Sequence, residues 1–113
     1  MTANIERFEE IAKKILIALY ESFPAADYLG PNELGLTDEE PSRDKMGGRV
    51  VSNEWEKLNQ EVRRAMAWLV EEGLVHDRQY KMSASHVLTS RGFNALEELD
   101  PAYKAPAVAK SLA

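Results

Sequence analysis

Apolar residues recur at three- and four-residue steps from Phe8 through Ile11, Ala12, Ile15, Leu16 and Leu19 to Phe23, a helical period that predicts a first helix over about residues 5–23. Glu6, Glu9 and Glu10 stand near its start, where carboxylates complement the helix macrodipole, and Pro24 stops it. Asp27-Tyr28-Leu29 reads as a short extended piece, broken by Gly30-Pro31. Pro31 is placed to open a helix of one or two turns with Leu34 and Leu36 inward. The pattern then lapses over residues 37–52. Charges, Pro41 and Gly47-Gly48 crowd there with few apolar anchors before Val50 and Val51, which predicts a long exposed loop. A second strong period, Trp55, Leu58, Val62, Met66, Leu69 and Val70, predicts a helix over about 53–72, capped by Ser52 or Asn53 and closed by Gly73. Trp68 lies off the centre of that stripe and reads as a contact with another helix.

After Gly73 the period changes. Residues 74–80 and 86–89 read as two strands of a hairpin, and Thr89 or Ser90 caps a last helix carrying Phe93, Leu96 and Leu99. Asp100-Pro101 ends it. The elements make one domain over residues 1–100, mainly α with a small β-hairpin (α+β), followed by a flexible, frayed tail over 101–113. A chain of 113 residues fits a single domain.

The chain has no cysteine, which removes disulfides, thiol nucleophiles and thiolate metal sites. Its longest apolar run, residues 15–20, is too short to span a bilayer. The start of the sequence lacks the basic and apolar regions of a secretory signal, so the expected location is the cytoplasm. No nucleophile elbow, paired His–Glu metal motif or phosphate loop occurs, and Gly47-Gly48-Arg49 matches neither dinucleotide nor Walker spacing. The expectation is a non-enzyme without metal or cofactor. His76 and His86 fall on the two strands of the hairpin, where two histidines alone are more often plain strand residues than ligands.

The order helix, extended piece, short helix, longer helix, hairpin, helix, with Leu69 to Val75 followed by Leu88 to Leu96, resembles the winged helix-turn-helix superfamily. MarR-like and PadR-like regulators are similar in carrying "LxxxGLV" and then "LTxxGxxxL". Within that pattern Gly73 turns the chain from helix to wing, Thr89 caps the last helix, and Gly92 lets it approach closely. The long loop over 37–52 departs from the usual short turn. The resemblance implies a DNA-binding regulator whose 53–72 helix enters the major groove while the wing over 74–89 touches backbone. It also implies a homodimer built on the first helix, the last helix and the tail.

The net charge of −5 demands that any DNA contact be local. Lys57, Gln60 and Arg64 share one helix face, with Arg63 beside it and Asn59 nearby, and amide and guanidinium side chains suit base edges. Arg49 precedes the helix, Arg78 and Lys81 lie on the wing, and Arg91 starts the last helix. Lys57, Arg63 and Arg64 are outnumbered by Glu54, Glu56, Glu61, Glu71 and Glu72, whereas Arg78, Lys81 and Arg91 face only Asp77. The expected partner is double-stranded DNA. The alternative is a winged-helix module that binds protein through Trp68, Tyr80, Met82 and the loop, without DNA binding.

Overall fold

The structure, a computed structural model, describes residues 3–78 and 85–112, without the side chain of Arg49. It is α+β: helices α1 (Ala3–Ser22), α2 (Asn53–Glu71), α3 (Ser90–Leu99) and α4 (Ala107–Ser111), and strands β1 (Ser42–Arg43), β2 (Arg49–Val50), β3 (Val75–Asp77) and β4 (His86–Leu88). The strands form two separate antiparallel pairs, β1–β2 and β3–β4.

The two long helices follow their apolar periods. Ile11, Ile15, Leu16 and Leu19 of α1 form one core with Val62, Ala65, Met66 and Leu69 of α2, Val75 and Leu88 of the hairpin, and Phe93 and Leu96 of α3. Each of these side chains larger than alanine, fully buried, contributes roughly 1.5–3 kcal/mol of hydrophobic stabilisation. Ser52 caps α2, its Oγ accepting from the Trp55 amide at 3.1 Å. At the other end Leu74 N donates to Leu69 O at 2.9 Å and Gly73 N to Val70 O at 3.0 Å, the paired bonds of a Schellman closure.

From that closure the chain enters β3, which pairs with β4 in the register Val75↔Leu88, His76↔Val87 and Asp77↔His86. Asp27 exchanges both backbone hydrogen bonds with His86, at 2.9 and 2.8 Å, so the extended piece after α1 adds a third short edge to the hairpin. Thr89 then caps α3 through the Gly92 amide at 3.1 Å and donates its hydroxyl proton to Gly73 O at 2.5 Å. One side chain thus ties the end of the hairpin to the end of α2.

Three stretches differ from the sequence expectation. The segment opened by Pro31 is a run of hydrogen-bonded turns over residues 31–35, not a helix: bonds reach back three residues, four and five (Gly35 N to Asn32 O, Leu34 N to Gly30 O, Leu36 N to Pro31 O). Leu34 is nonetheless buried there. The 37–52 stretch, expected as a plain loop, contains the β1–β2 hairpin in the register Ser42↔Val50 and Arg43↔Arg49. Its order comes from side chains bonding to backbone rather than from apolar periodicity. The expected frayed tail instead folds back on the domain. Ala105 and Ala109 are buried, Tyr20 Oη donates to Lys104 O at 2.9 Å, and the Tyr103 ring stands edge-on to Tyr20 with centroids 5.3 Å apart. Small alanines and a tyrosine give little periodic signal, yet they fit closely against α1 and α3.

Candidate nucleic-acid interface

The face of α2 turned away from the core carries Asn53, Lys57, Gln60, Arg64, Ala67 and Glu71, all exposed. Lys57, Gln60 and Arg64 form no hydrogen bond or ion pair among the described residues, so their donors are open to solvent. One of the carboxylates beside them, Glu61, is engaged within the fold, whereas Glu54, Glu56, Glu71 and Glu72 are exposed. Glu61 accepts from Arg7 Nε of α1 at 3.0 Å, and this bond, with a second from Arg7 to Glu10, raises the guanidinium pKa further. An exposed pair adds little to stability, but it neutralises the acidic residue flanking Lys57 and Arg64. Nothing in the sequence pattern marks Arg7 for this role, because the pairing spans two helices.

Two of the candidates on α2 turn inward. Arg63 is one helical step of about 100° away from Arg64. Its Nη2 donates to the Leu29 carbonyl and its guanidinium lies 5.1 Å from the Tyr28 ring centroid. It joins α2 to the extended piece after α1 and is not on the outward stripe. Asn59 is likewise half-buried on that flank, with its Oδ1 buried and without a hydrogen-bond partner among the described residues.

The remaining candidates are dispersed. Arg78 is exposed at the end of β3, where its amide donates to Ser85 O at 2.7 Å. Arg91 is exposed too, but its guanidinium sits beside Gly73, where an added Cβ would meet Nη1 at 3.4 Å. Gly73 is about 24 Å along the helix axis from Lys57, so Arg91 belongs to the opposite end of α2 from the stripe's start. Arg49 pairs with Arg43 through its backbone, and its side chain lies outside the described residues, as do Lys81, Tyr80 and Met82.

Behind the stripe, Trp68 is 45% exposed and edge-on to Phe8 of α1, with centroids 5.2 Å apart. This is the expected contact with another helix. The two rings border a groove of about 430 Å³ that also holds Arg7, Glu61 and Arg64. On the far flank, His86 is 4% exposed with Nδ1 unpartnered among the described residues, and burial is the main cause that lowers its pKa; Asp77 opposes and Arg63 adds to the shift. His76 pairs with Val87, one register step from His86, so the two imidazoles point to opposite faces of the hairpin. Among the described residues no three His, Asp or Glu side chains converge in a way that could hold a metal ion, and no helix is long and apolar enough to cross a membrane.

No protein-family model, curated protein or solved structure matches the chain.

Proposed function

We propose that this is a winged-helix DNA-binding module, acting as a small regulator, with α2 entering the major groove and the β3–β4 hairpin beside it on the backbone. The observation that carries the reading is the outward stripe Lys57, Gln60 and Arg64, whose donors have no partners among the described residues. Gln60 is the base-reading side chain and Lys57 and Arg64 are its charged neighbours, suited to phosphate or guanine. The Asp27–His86 bridge supports the reading, because it fixes the hairpin against the extended piece after α1. No catalytic role is assigned. The test is fluorescence anisotropy with labelled duplexes from about 50 to about 200 mM salt. Binding that weakens steeply with salt is the expected result, and no binding at the low end by folded protein refutes the reading.

A second reading, a module that binds protein, is favoured by one feature. Phe8, Ala12, Trp68, Leu74, Ala95 and Leu99 line an apolar groove of about 360 Å³ across α1, α2 and α3. A second copy of the chain is the occupant expected from the resemblance. Sedimentation of wild type and Trp68→Ala tests the groove: a homodimer that dissociates in the variant supports self-association there, a dimer compatible with either reading, and the DNA titration above separates the two.

A further inference from the structure

No described residue of the β1–β2 hairpin belongs to the core. Residues 42–48 are exposed, and Met46 at its tip is 93% exposed. A two-stranded hairpin this short is marginal by itself in water, yet its tip is built tightly. Asp44 Oδ1 accepts from Met46 N at 2.9 Å and Gly48 N at 2.7 Å, while Asp44 N donates to Gly48 O at 2.8 Å. Gly47 turns the chain at φ +82°, and Arg43 Nη1 donates to its carbonyl at 2.9 Å. The base is fixed as firmly. Ser52, the cap of α2, donates from its amide and hydroxyl to the Glu39 carboxylate at 2.8 and 2.5 Å. Asn32 Nδ2 donates to Glu39 O at 2.5 Å, and Asn32 Oδ1 accepts from Trp55 Nε1 of α2 at 2.9 Å. A shaped projection is therefore latched to the first turn of α2 and held away from the core.

Its charge runs against that of the chain. Residues 42–50 carry Arg43, Lys45 and Arg49 against Asp44 alone, in a protein of net charge −5. The Asp44 carboxylate is already engaged by two amides, whereas Lys45 forms no hydrogen bond or ion pair among the described residues. Six chain steps lead from Met46 to Ser52, less than about 20 Å because the chain turns at Gly47. The span is comparable with the roughly 12 Å width of the major groove. Because the base of the hairpin is latched to the first turn of α2, the hairpin accompanies that turn in any approach to a groove.

We infer that the β1–β2 hairpin is a second arm that grips the phosphate backbone of duplex DNA beside the groove entered by α2, through Arg43 and Lys45. The inference rests on the DNA-binding reading above and adds a contact surface to it. Because the tip is ordered beforehand, contact costs little of the ordering entropy that a disordered arm loses.

The experiment is anisotropy of the full chain on a labelled random-sequence duplex, comparing wild type with Arg43→Ala/Lys45→Ala and with Lys45→Glu across the same salt range. Removing two phosphate contacts is expected to weaken binding about tenfold or more at low salt and to lower the slope of log affinity on log salt by about 2. Melting temperature changes little, because the bond lost, Arg43 Nη1 to Gly47 O, lies within the exposed tip. Should the double variant melt lower, Lys45→Glu decides, since that side chain has no partner to lose among the described residues. Wild-type binding with both variants equal to it in affinity and slope overturns the arm alone. Failure of wild type to bind at all overturns the reading of α2 and the arm with it.

Discussion

Gly92 lies so close to Leu74 that a methyl group on its α carbon would overlap the Leu74 carbonyl oxygen. The first turn of α3 can reach the chain leaving α2 only because position 92 has no side chain. Gly92→Ala must therefore part α3 from the α2–β3 junction or strain both. The expected loss is about 2–4 kcal/mol, at the upper end for one substitution, measured by urea unfolding. An unchanged midpoint would show that the contact yields cheaply.

Ser52 performs two tasks, capping α2 and holding Glu39. Ser52→Ala is expected to cost about 1 kcal/mol for the cap alone. Hydrogen bonds from Ser52 hold the Glu39 carboxyl below the usual carboxylate range. Its contribution is thus present above the unfolded pKa and is lost as pH falls through the lower folded value. Titrating Glu39 by NMR in wild type and Ser52→Ala checks this: the pKa rises in the variant.

Arg63 and Arg64 are adjacent and are expected to respond oppositely. Arg64→Ala should weaken duplex binding, lower the salt slope by about 1 and leave the melting temperature alone. Arg63→Ala should lower stability by roughly 1–3 kcal/mol, since the Leu29 carbonyl loses a charged donor. Its salt slope should stay near that of wild type. Paired melting and anisotropy measurements on the two variants decide the assignment.

His86 makes stability depend on pH in one direction. Burial sets its folded pKa below its unfolded value near 6.5, so on acidification the unfolded chain takes up the proton first. Stability from this group is level above about pH 6.5 and declines below it, by at most about 1.4 kcal/mol per pH unit. His86→Gln should flatten that limb in denaturation curves between about pH 7 and pH 5. An equally steep limb in the variant would place the proton uptake elsewhere.

The folded-back tail can be tested at a single atom. Tyr20→Phe removes only the hydroxyl that donates to Lys104 O and is expected to cost about 1 kcal/mol. Tyr103→Ala removes a ring edge and its packing and should cost more. Both are read by thermal melting, and a tail that did not pack would leave both curves on that of wild type.

The parts of the fold legible in the sequence are those set by apolar period and local chain chemistry. The stripes through Ile11–Leu19 and Trp55–Leu69 place α1 and α2, Ser52 and Gly73 bound α2, and Thr89 with Gly92 marks the start of α3. The exposed trio Lys57, Gln60 and Arg64 follows from the same helical geometry. What escaped depends on partners distant along the chain. Arg63 looks equivalent to Arg64 until Leu29 and Tyr28 are placed against it, and Arg7 gains its role only from Glu61, 54 residues away. The β1–β2 hairpin has no apolar alternation, because Asp44 and Glu39 organise it through backbone amides and a cap residue.

The two tryptophans make α2 an optical ruler of its own state. Trp55 is 2% exposed and bonded to Asn32 at the foot of the hairpin, while Trp68 is 45% exposed against Phe8 at the other end. Emission from Trp55 is therefore shielded and senses movement of the hairpin's foot, and emission from Trp68 is red-shifted and senses α1. With Trp68→Phe and Trp55→Phe as single-emitter chains, a ligand seated on the hairpin end and one seated on the apolar groove announce themselves at different wavelengths, without any attached dye.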